Sequence, residues 1–409
     1  MSNNIAALVN EIGGVLKRNY EAPILDQMNK DCFVYKFAEK TKMSVSGEAT
    51  YFPLKLARAQ GTGFGSDGGV LPSIGRPLHK QAKVDHKFSW FRIALTSGLV
   101  AASKNDKGAF VRYAKTAVEG ATEDFIKEQN RVLSWDGTGY LGRLSAAAVA
   151  SNSISVQGRE GTSEEGGKFI FPDMEIDIVS SAGVYKANGA TVTAVTNPLS
   201  TTATVTLDQA VTASSGDYIV RKGSYNMEAQ GLTYSINGDT TSIYDIDRSL
   251  YRAYQSNLLN MNGAQLSIDG INVAFLAGIK RGGVTPGAYQ KILMDFDTSR
   301  FYTKLLTPDR RYNDGANLDA KAYDREKING TLNGVEIMAD PDCPQRIFFI
   351  PQGVLKLCVL NELEMATETG SQMIPIPETD SWEMRMRYFY NLFNTKPSSC
   401  SAIYNYISP

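Results

Sequence analysis

Gly137, Gly139 and Gly142, in the stretch SWDGTGYLG, carry the spacing G-x-G-x-x-G with which dinucleotide-binding enzymes cradle a pyrophosphate. That chemistry needs a buried strand leading into the glycines and a helix N-terminus leaving them, so that free N–H groups point at the phosphates. Here a helical pattern leads in instead. From Asp106 to Ser134, the residues Phe110, Ala114, Ala117, Ala121, Phe125 and Val132 mark one apolar stripe, with Arg112, Lys115, Glu119, Glu123 and Arg131 mostly opposite. Asn105 and Asp106 offer N-cap oxygens, and Gly137 stands where a helix is stopped. The spacing predicts a helix of ~43 Å, with Gly137, Gly139 and Gly142 as its stop. A nucleotide-dependent enzyme is the alternative from another class, and it rests on G-x-G-x-x-G alone.

Three carboxylate pairs have spacing that acid–base chemistry uses: Asp295 with Asp297, Asp340 with Asp342, and Glu362 with Glu364. In DPDCP the prolines Pro341 and Pro344 fix a tight turn in which aspartates bond their own backbone. Asp297 precedes the helical pattern TSRFYTKLL and reads as its N-cap. Glu362 and Glu364 receive no role. The only two histidines, His79 and His86, have no nucleophile or ligand motif around them and read as surface or structural residues. Cys32, Cys343, Cys358 and Cys400 lack C-x-x-C spacing, and Cys343 lacks a neighbouring base to activate it. No catalytic, cofactor-binding or metal-binding residue is assigned.

The elements that would position any site fill 409 residues, room for two or three domains. Lys plus Arg number 42 and Asp plus Glu 43, so no net field draws the chain to nucleic acid or a membrane. The N-terminus begins uncharged and carries Lys17 and Arg18 late, the reverse of a secretory signal, and no apolar run is long enough for a membrane span. A soluble, cytoplasmically made protein is expected. Ile5, Leu8, Val9, Ile12 and Leu16 mark a short amphipathic helix that must dock on its own domain or a neighbour.

From Ala49 to Arg58 the sequence alternates, with Phe52, Leu54 and Leu56 on one face and Pro53 marking an edge. A second run, Val84, His86, Phe88 and Trp90, then changes phase at Phe91, as at a bulge. The connection between them is rich in Gly and Pro and long for a compact domain, so a long β-hairpin leaving the body is expected. Its surroundings are basic: Lys40, Lys42, Lys55, Arg58, Arg76, Lys80, Lys83 and Lys87. These lysines either blunt strand edges or form a cationic arm that reaches another subunit; the length favours the arm. From Ser151 to Gly223 short strand candidates (KFIF, MEIDIV, ATVTAV, TATVTL, DYIVRKG) suggest a small β-sandwich or barrel inserted into the larger domain. Beyond Gln230, a helix capped by Ser267 and stopped at Gly282 and Gly283, the strand KILMD, further strands, and the aromatic stretch MRMRYFYNLF indicate an α+β domain around a sheet.

Four stretches are similar in wording to one family: GEATYFPLKLARAQGTGFGSDGGVLP, LVAASKNDKGAFVRYAKTAVEGATEDFIKEQNRVLSWDGTGYLG, GLTYSINGDTTSIYDIDRS and GVEIMADPDCPQRIFFIP. They resemble the major capsid proteins of tailed double-stranded DNA bacteriophages. The resemblance implies an α+β fold of the Hong Kong 97 type. Its parts would be an N-terminal arm (1–48), an E-loop hairpin (49–96), and a P-domain (97–150) whose spine helix covers 106–134. An inserted all-β domain (151–223) would follow, then an A-domain with returning P-domain strands (224–409). It further implies self-assembly into hexamers and pentamers of an icosahedral phage head. Lys55, Arg58, Gly61, Gly63, Gly65, Arg76 and Lys80 would lie at inter-subunit contacts. Implied partners are a portal, a separate scaffolding protein, a decoration protein and non-specifically contacted double-stranded DNA, with no membrane, in a virion assembled in the host cytoplasm. Within the same structural class, the shell of an encapsulin-type nanocompartment is the alternative. Two departures stand out. Some relatives begin with a long scaffolding segment, whereas the capsid-like wording here starts near Met1, and the insertion is not universal. No motif selects a lysine–asparagine pair for the cross-link that some relatives form.

Overall fold

The computed structural model describes residues 33–41, 49–96, 107–310, 331–366, 374–376 and 380–408, apart from 58, 60, 68, 161–163, 239, 240 and 333. The expected amphipathic helix Ile5–Leu16, the N-cap at Asn105 and Asp106, and the contact residue Arg58 lie outside the described residues. The chain begins with helix α1 (Phe33–Phe37) and strand β1 (Glu39–Thr41), then the ribbon β2 (Ala49–Ala57) and β3 (Leu78–Asp85), and then β4 (Lys87–Thr96). Helix α2 (Lys107–Ser134) has the length its apolar spacing predicts; Phe125, Ile126, Val132 and Leu133 bury its described face. At 28 residues it is ~42 Å long.

After α2 come six strands: β5 (Tyr140–Leu144), β6 (Ala148–Gln157), β7 (Glu175–Val179), β8 (Tyr185–Thr196), β9 (Thr202–Ala213) and β10 (Tyr218–Arg221). They close a barrel in the order β10-β5-β6-β9-β8-β7, filled by inward Val, Ile, Leu and Ala side chains. The expected insertion therefore begins at Tyr140, not Ser151. The compositional shift at Ser151 hid β5, whose pairing with both β6 and β10 the closure requires. Of the predicted strands there, KFIF is instead a turn, with the Ile170 N–H donating to the Gly167 carbonyl at 3.2 Å and Ile170 buried in the barrel core.

The remainder is α3 (Leu232–Ser235), β11 (Asn257–Asn260), α4 (Ile268–Gly282), β12 (Tyr289–Met294), α5 (Phe296–Arg310), β13 (Thr331–Leu332), β14 (Val335–Ala339), β15 (Arg346–Pro351), β16 (Leu355–Met365), β17 (Ile374–Ile376), β18 (Ser381–Asn394) and β19 (Ser401–Tyr404). Two sheets organise it. The first runs β1-β16-β18-β17, with β4 also paired to β18. Its core holds Tyr388, Tyr390 and Leu392 of the aromatic stretch against α1 and α2, as in the edge contacts Tyr35–Tyr388 and Phe91–Phe125. The second is a mixed sheet, β11-β19-β15-β12-β14-β13, covered by Ile271 and Phe275 of α4 and Phe301 and Tyr302 of α5.

Local capping explains these helix ends. The Ser267 hydroxyl accepts from the Gly270 N–H at 3.1 Å, and Gly283, at φ 59°, closes α4 in the left-handed region. For α5 the expected cap Asp297 falls inside the first turn; Asp295 takes the position, accepting from the Thr298 N–H at 3.3 Å. The phase change at Phe91 is not a bulge within the hairpin. The chain leaves the ribbon at His86 and enters another sheet as β4, whose pairing with β18 runs in unbroken register; Phe88 and Trp90 lie on its exposed face and Phe91 and Ile93 on the opposite, half-buried one. Among the described residues, no helix is long and apolar enough to cross a membrane.

Candidate assembly surfaces

The ribbon β2–β3 does not stand clear of the body, as the sequence led us to expect. Its inward face, Phe52, Leu56, Ala82 and Val84, is buried against residues 243–254 and β18, with the Phe52 and Phe393 rings stacked at 4.3 Å. The Lys83 N–H donates to the Tyr244 carbonyl at 3.0 Å, and Thr50 and His86 hydrogen bond at 2.9 Å. Burial holds the imidazole of His86 below its ordinary pKa, as fits a structural residue.

Only the tip projects. The described residues between β2 and β3 form no regular structure, and Phe64, Val70, Leu71 and Ile74 are almost wholly exposed. Its two limbs run close together: a Cβ on Gly61 would lie 3.3 Å from the Gly75 nitrogen, and one on Gly63 3.0 Å from the Pro72 ring. Gly65, Arg76 and Lys55 are exposed nearby, Lys55 opposite His79 in the ladder. Three other basic residues turn back onto their own subunit. Lys80 lies over the Tyr251 ring at 5.2 Å, Lys83 pairs with Asp85 at 3.1 Å, and Lys87 donates to the Asn226 carbonyl at 2.9 Å. The expected cationic arm is thus largely an apolar one. The signal was present in the sequence as four large apolar residues inside a Gly-rich run, where no core could hold them.

The three glycines divide. Gly137 and Gly139 lie past the end of α2 with φ of 82° each, and pack against the backbone carbonyls of Ala229 and Ser224. Gly142 is not part of the helix stop. It sits inside β5, where a Cβ would come 2.8 Å from Val156 Cγ1, so a close strand approach explains it. The polarity is the one the sequence led us to expect, the reverse of a phosphate cradle: Gly137 and Gly139 follow a helix C-terminus, and the adjoining cleft is lined by Asp136, Glu160 and Glu228 together with Lys87 and Arg346.

Beside them lies a buried charge network. Arg131 of α2 donates to Glu128 at 2.7 Å and to Glu228 at 2.5 Å, while Arg221 at the end of β10 reaches Glu128 at 3.2 Å. Burial alone would raise the Glu128 carboxyl, but Arg131 and Arg221 outweigh it and hold it down at about 2. The Asn130 amide donates to Asp340 at 3.0 Å and to Asp342 at 2.9 Å, tying α2 to the DPDCP turn. Burial, with Asp342 beside it, pushes the Asp340 carboxyl up to about 6. The backbone role expected for this turn is present, since the Asp342 N–H donates to Asp340 at 2.8 Å; the side-chain clamp on Asn130 had no sequence signal. Of the other pairs, Asp297 bridges Arg300 at 3.1 Å and Glu364 bridges Arg387 at 2.9 Å, both as ordinary ion pairs. Cys343 is buried, and burial pushes its thiol well up, away from reactivity. Among the described residues no group of His, Cys, Asp and Glu is placed to hold a metal.

No family model matches the chain, and no curated protein matches it. Among solved structures it is similar to the capsid of cyanophage A-1(L), at 14% identity over 90% of each chain with a TM-score of 0.52. It is also similar to the capsid of a native GTA particle, at 9% identity over 91% of this chain and 90% of the other, with a TM-score of 0.50. Likeness of that extent at such low identity is likeness of fold: the chain has the fold of capsid shell subunits.

Proposed function

We propose that the chain, built on that capsid fold, is the major capsid protein of a tailed bacteriophage, forming hexamers and pentamers of an icosahedral head around double-stranded DNA. The observation that carries this reading is the tip. Phe64, Val70, Leu71 and Ile74 are exposed in the isolated subunit, on a ribbon fixed to the body along its length. Burying such side chains contributes about 1.5–3 kcal/mol each, a strong drive toward a neighbouring copy. A net charge of −1 fits DNA held by containment and non-specific contact rather than by a basic face.

On this reading residues 49–96 serve as the E-loop, with Lys55, Arg58, Gly61, Gly63, Gly65 and Arg76 near inter-subunit contacts. Helix α2 is the P-domain spine, the mixed sheet with α4 and α5 is the A-domain, and the barrel is a surface insertion. A portal, a scaffolding protein and a decoration protein are the partners such a head would use, and assembly would occur in a host cytoplasm. Sedimentation of the purified protein tests the reading. Particles of megadalton size with nuclease-protected DNA, when made alongside its packaging partners, are expected. A chain that sediments only as a subunit of 44.7 kDa contradicts it, and particles filled with protein cargo would assign a nanocompartment instead.

A further inference from the structure

The ribbon is fastened to the body near its root. There the Asn391 amide donates to the Asp85 carbonyl at 2.7 Å. Further out, the Lys83 N–H donates to the Tyr244 carbonyl at 3.0 Å; among the described residues this is the ribbon's one main-chain bond to the body. The Tyr244 hydroxyl in turn donates to the carbonyl of Leu392, the residue after Asn391 on β18, at 2.8 Å. Burial pushes that phenol well above its usual range, so it stays a donor. Ribbon, turn and β18 thus close a triangle around the Phe393 ring, which stacks on Phe52 at 4.3 Å and meets Tyr244 edge-on at 5.1 Å.

The turn that supplies this carbonyl is strained. Ile243 and Ile246 exchange both main-chain bonds, at 3.0 and 2.9 Å, which leaves Tyr244 and Asp245 as the two central residues of a hairpin turn. Their φ values are 50° and 64°. Both lie in the left-handed region that such turns usually give to asparagine and glycine, and a bulky aromatic residue there is an outlier. Such strain persists only where the surroundings over-determine it, and it gathers at places that work. Here Ile243, Tyr244 and Ile246 are buried in one cluster with Phe52, Leu56, Ala82 and Val84, while Asp245 is exposed. The Tyr244 carbonyl belongs to the peptide between the two central residues. A negative φ at Asp245 turns that peptide over and points the carbonyl away from Lys83.

We propose that Tyr244 and Asp245 form a clasp that sets the direction in which the ribbon leaves the body, with Tyr244 as the positioning residue. Two fixed points, Asp85 at the root and Lys83 beyond it, define a line, and the left-handed turn supplies the second. This much is a property of the subunit. What the clasp serves rests on the proposed shell: a ribbon held at one angle presents Phe64, Val70, Leu71 and Ile74 to a neighbouring copy at one place, so that the same contact repeats around a closed ring.

Because Asp245 is exposed, its backbone preference can be changed without touching the core. Hydrogen exchange, read by peptide mass on the full chain, tests the clasp. In Asp245→Val, whose β-branched side chain resists a left-handed φ, amides of β2 and β3 should exchange about tenfold faster while those of α4 and β15 stay unchanged. Asp245→Asn and Asp245→Gly, which accept that φ, should match the unaltered chain. Unchanged ribbon exchange in Asp245→Val, or equal acceleration in every element, overturns the clasp. Should Asp245→Val fail to fold, Tyr244→Phe decides, since it removes only the bond to Leu392: faster exchange confined to the ribbon supports the clasp, and unchanged exchange overturns it. Particles report separately. Asp245→Val should give irregular particles or none where the unaltered chain gives uniform ones, and uniform particles built with a loosened ribbon overturn the role in assembly. An unaltered chain that forms no particles contradicts the shell, and the exchange result still decides the clasp.

Discussion

The guanidinium of Arg131 lies 2.5 Å from the carboxylate of Glu228, fastening the last turns of the long helix to the chain that leaves the barrel. Both groups are largely removed from water, and Glu128 shares the same guanidinium. Removing the cation strands two carboxylates in a poorly solvated place. Arg131→Met is expected to lower the unfolding free energy by about 3–5 kcal/mol, and Glu228→Gln by less. Urea unfolding measures both; a loss under about 1 kcal/mol for Arg131→Met would mean that the pair is not the fastening.

The pH dependence of stability follows from two carboxyls with opposite shifts. Glu128, held at about 2 by Arg131 and Arg221 against burial, stabilises the fold above the usual 4.5, and that contribution is lost as pH falls toward 2. Burial, and then the charge of Glu160, pushes Glu164 up to about 8, with Asp295 adding to the rise and the Glu160 and Gln345 N–H groups opposing it. Its protonated form is the stabilised one, so stability falls as pH rises from about 4.5 to about 8. Asp295 and Asp340, raised by burial to about 6, act in the same sense at lower pH. Unfolding free energy should thus be lower at pH 9 than near pH 5, while below pH 5 the loss from Glu128 is opposed by the gain from Asp295 and Asp340. Glu164→Gln should flatten the alkaline limb, a change on the order of a few kcal/mol. An alkaline limb unaltered by that substitution would show that another group titrates there.

Much of this architecture was legible because it is written in local period. The 3.6-residue stripe through Phe125 and Val132 and the Ser267 and Gly283 caps marked α2 and α4 to within a few residues. What escaped depends on partners far along the chain. Tyr140–Leu144 becomes a strand because β6 and β10 flank it, and Val84 and Phe91 differ in phase because they belong to different sheets. Lys80 reads as an arm residue until Tyr251 is seen beneath it. The Asn130–Asp340 contact, 210 positions apart, has no local signature at all.

The glycines should respond separately. Gly137→Val places a β-branched residue at φ 82°, with its Cβ 2.9 Å from the Ala229 carbonyl oxygen, and should cost about 1–3 kcal/mol or lower the folding yield. Gly142→Ala overpacks the barrel against Val156 and should cost about 1–3 kcal/mol while leaving the end of α2 unchanged. Titration of the unsubstituted protein with nicotinamide and flavin nucleotides should show no saturable binding. Stoichiometric micromolar binding that Gly137→Val abolishes would restore the dinucleotide reading of this stretch.

Deleting Gly61–Gly75 removes most of the tip but none of β2 or β3. The subunit should keep its cooperative unfolding with little change in midpoint, because the ribbon core of Phe52, Leu56, Ala82 and Val84 remains. Stable particles should be lost. Replacing Phe64, Val70, Leu71 and Ile74 together by Ser should weaken assembly in the same direction, since it removes the apolar area without shortening the chain. Particles as durable as those of the unaltered chain, in either variant, would place the assembly contacts elsewhere.

Electron microscopy of the purified protein tests the central claim most directly. The expected result is uniform closed shells whose surface lattice resolves into hexamers and pentamers, with the subunit traced in density as the ribbon, the long helix, the mixed sheet and the barrel described above. A protein that remains a small soluble oligomer under all assembly conditions, including co-production with its packaging partners, would contradict it.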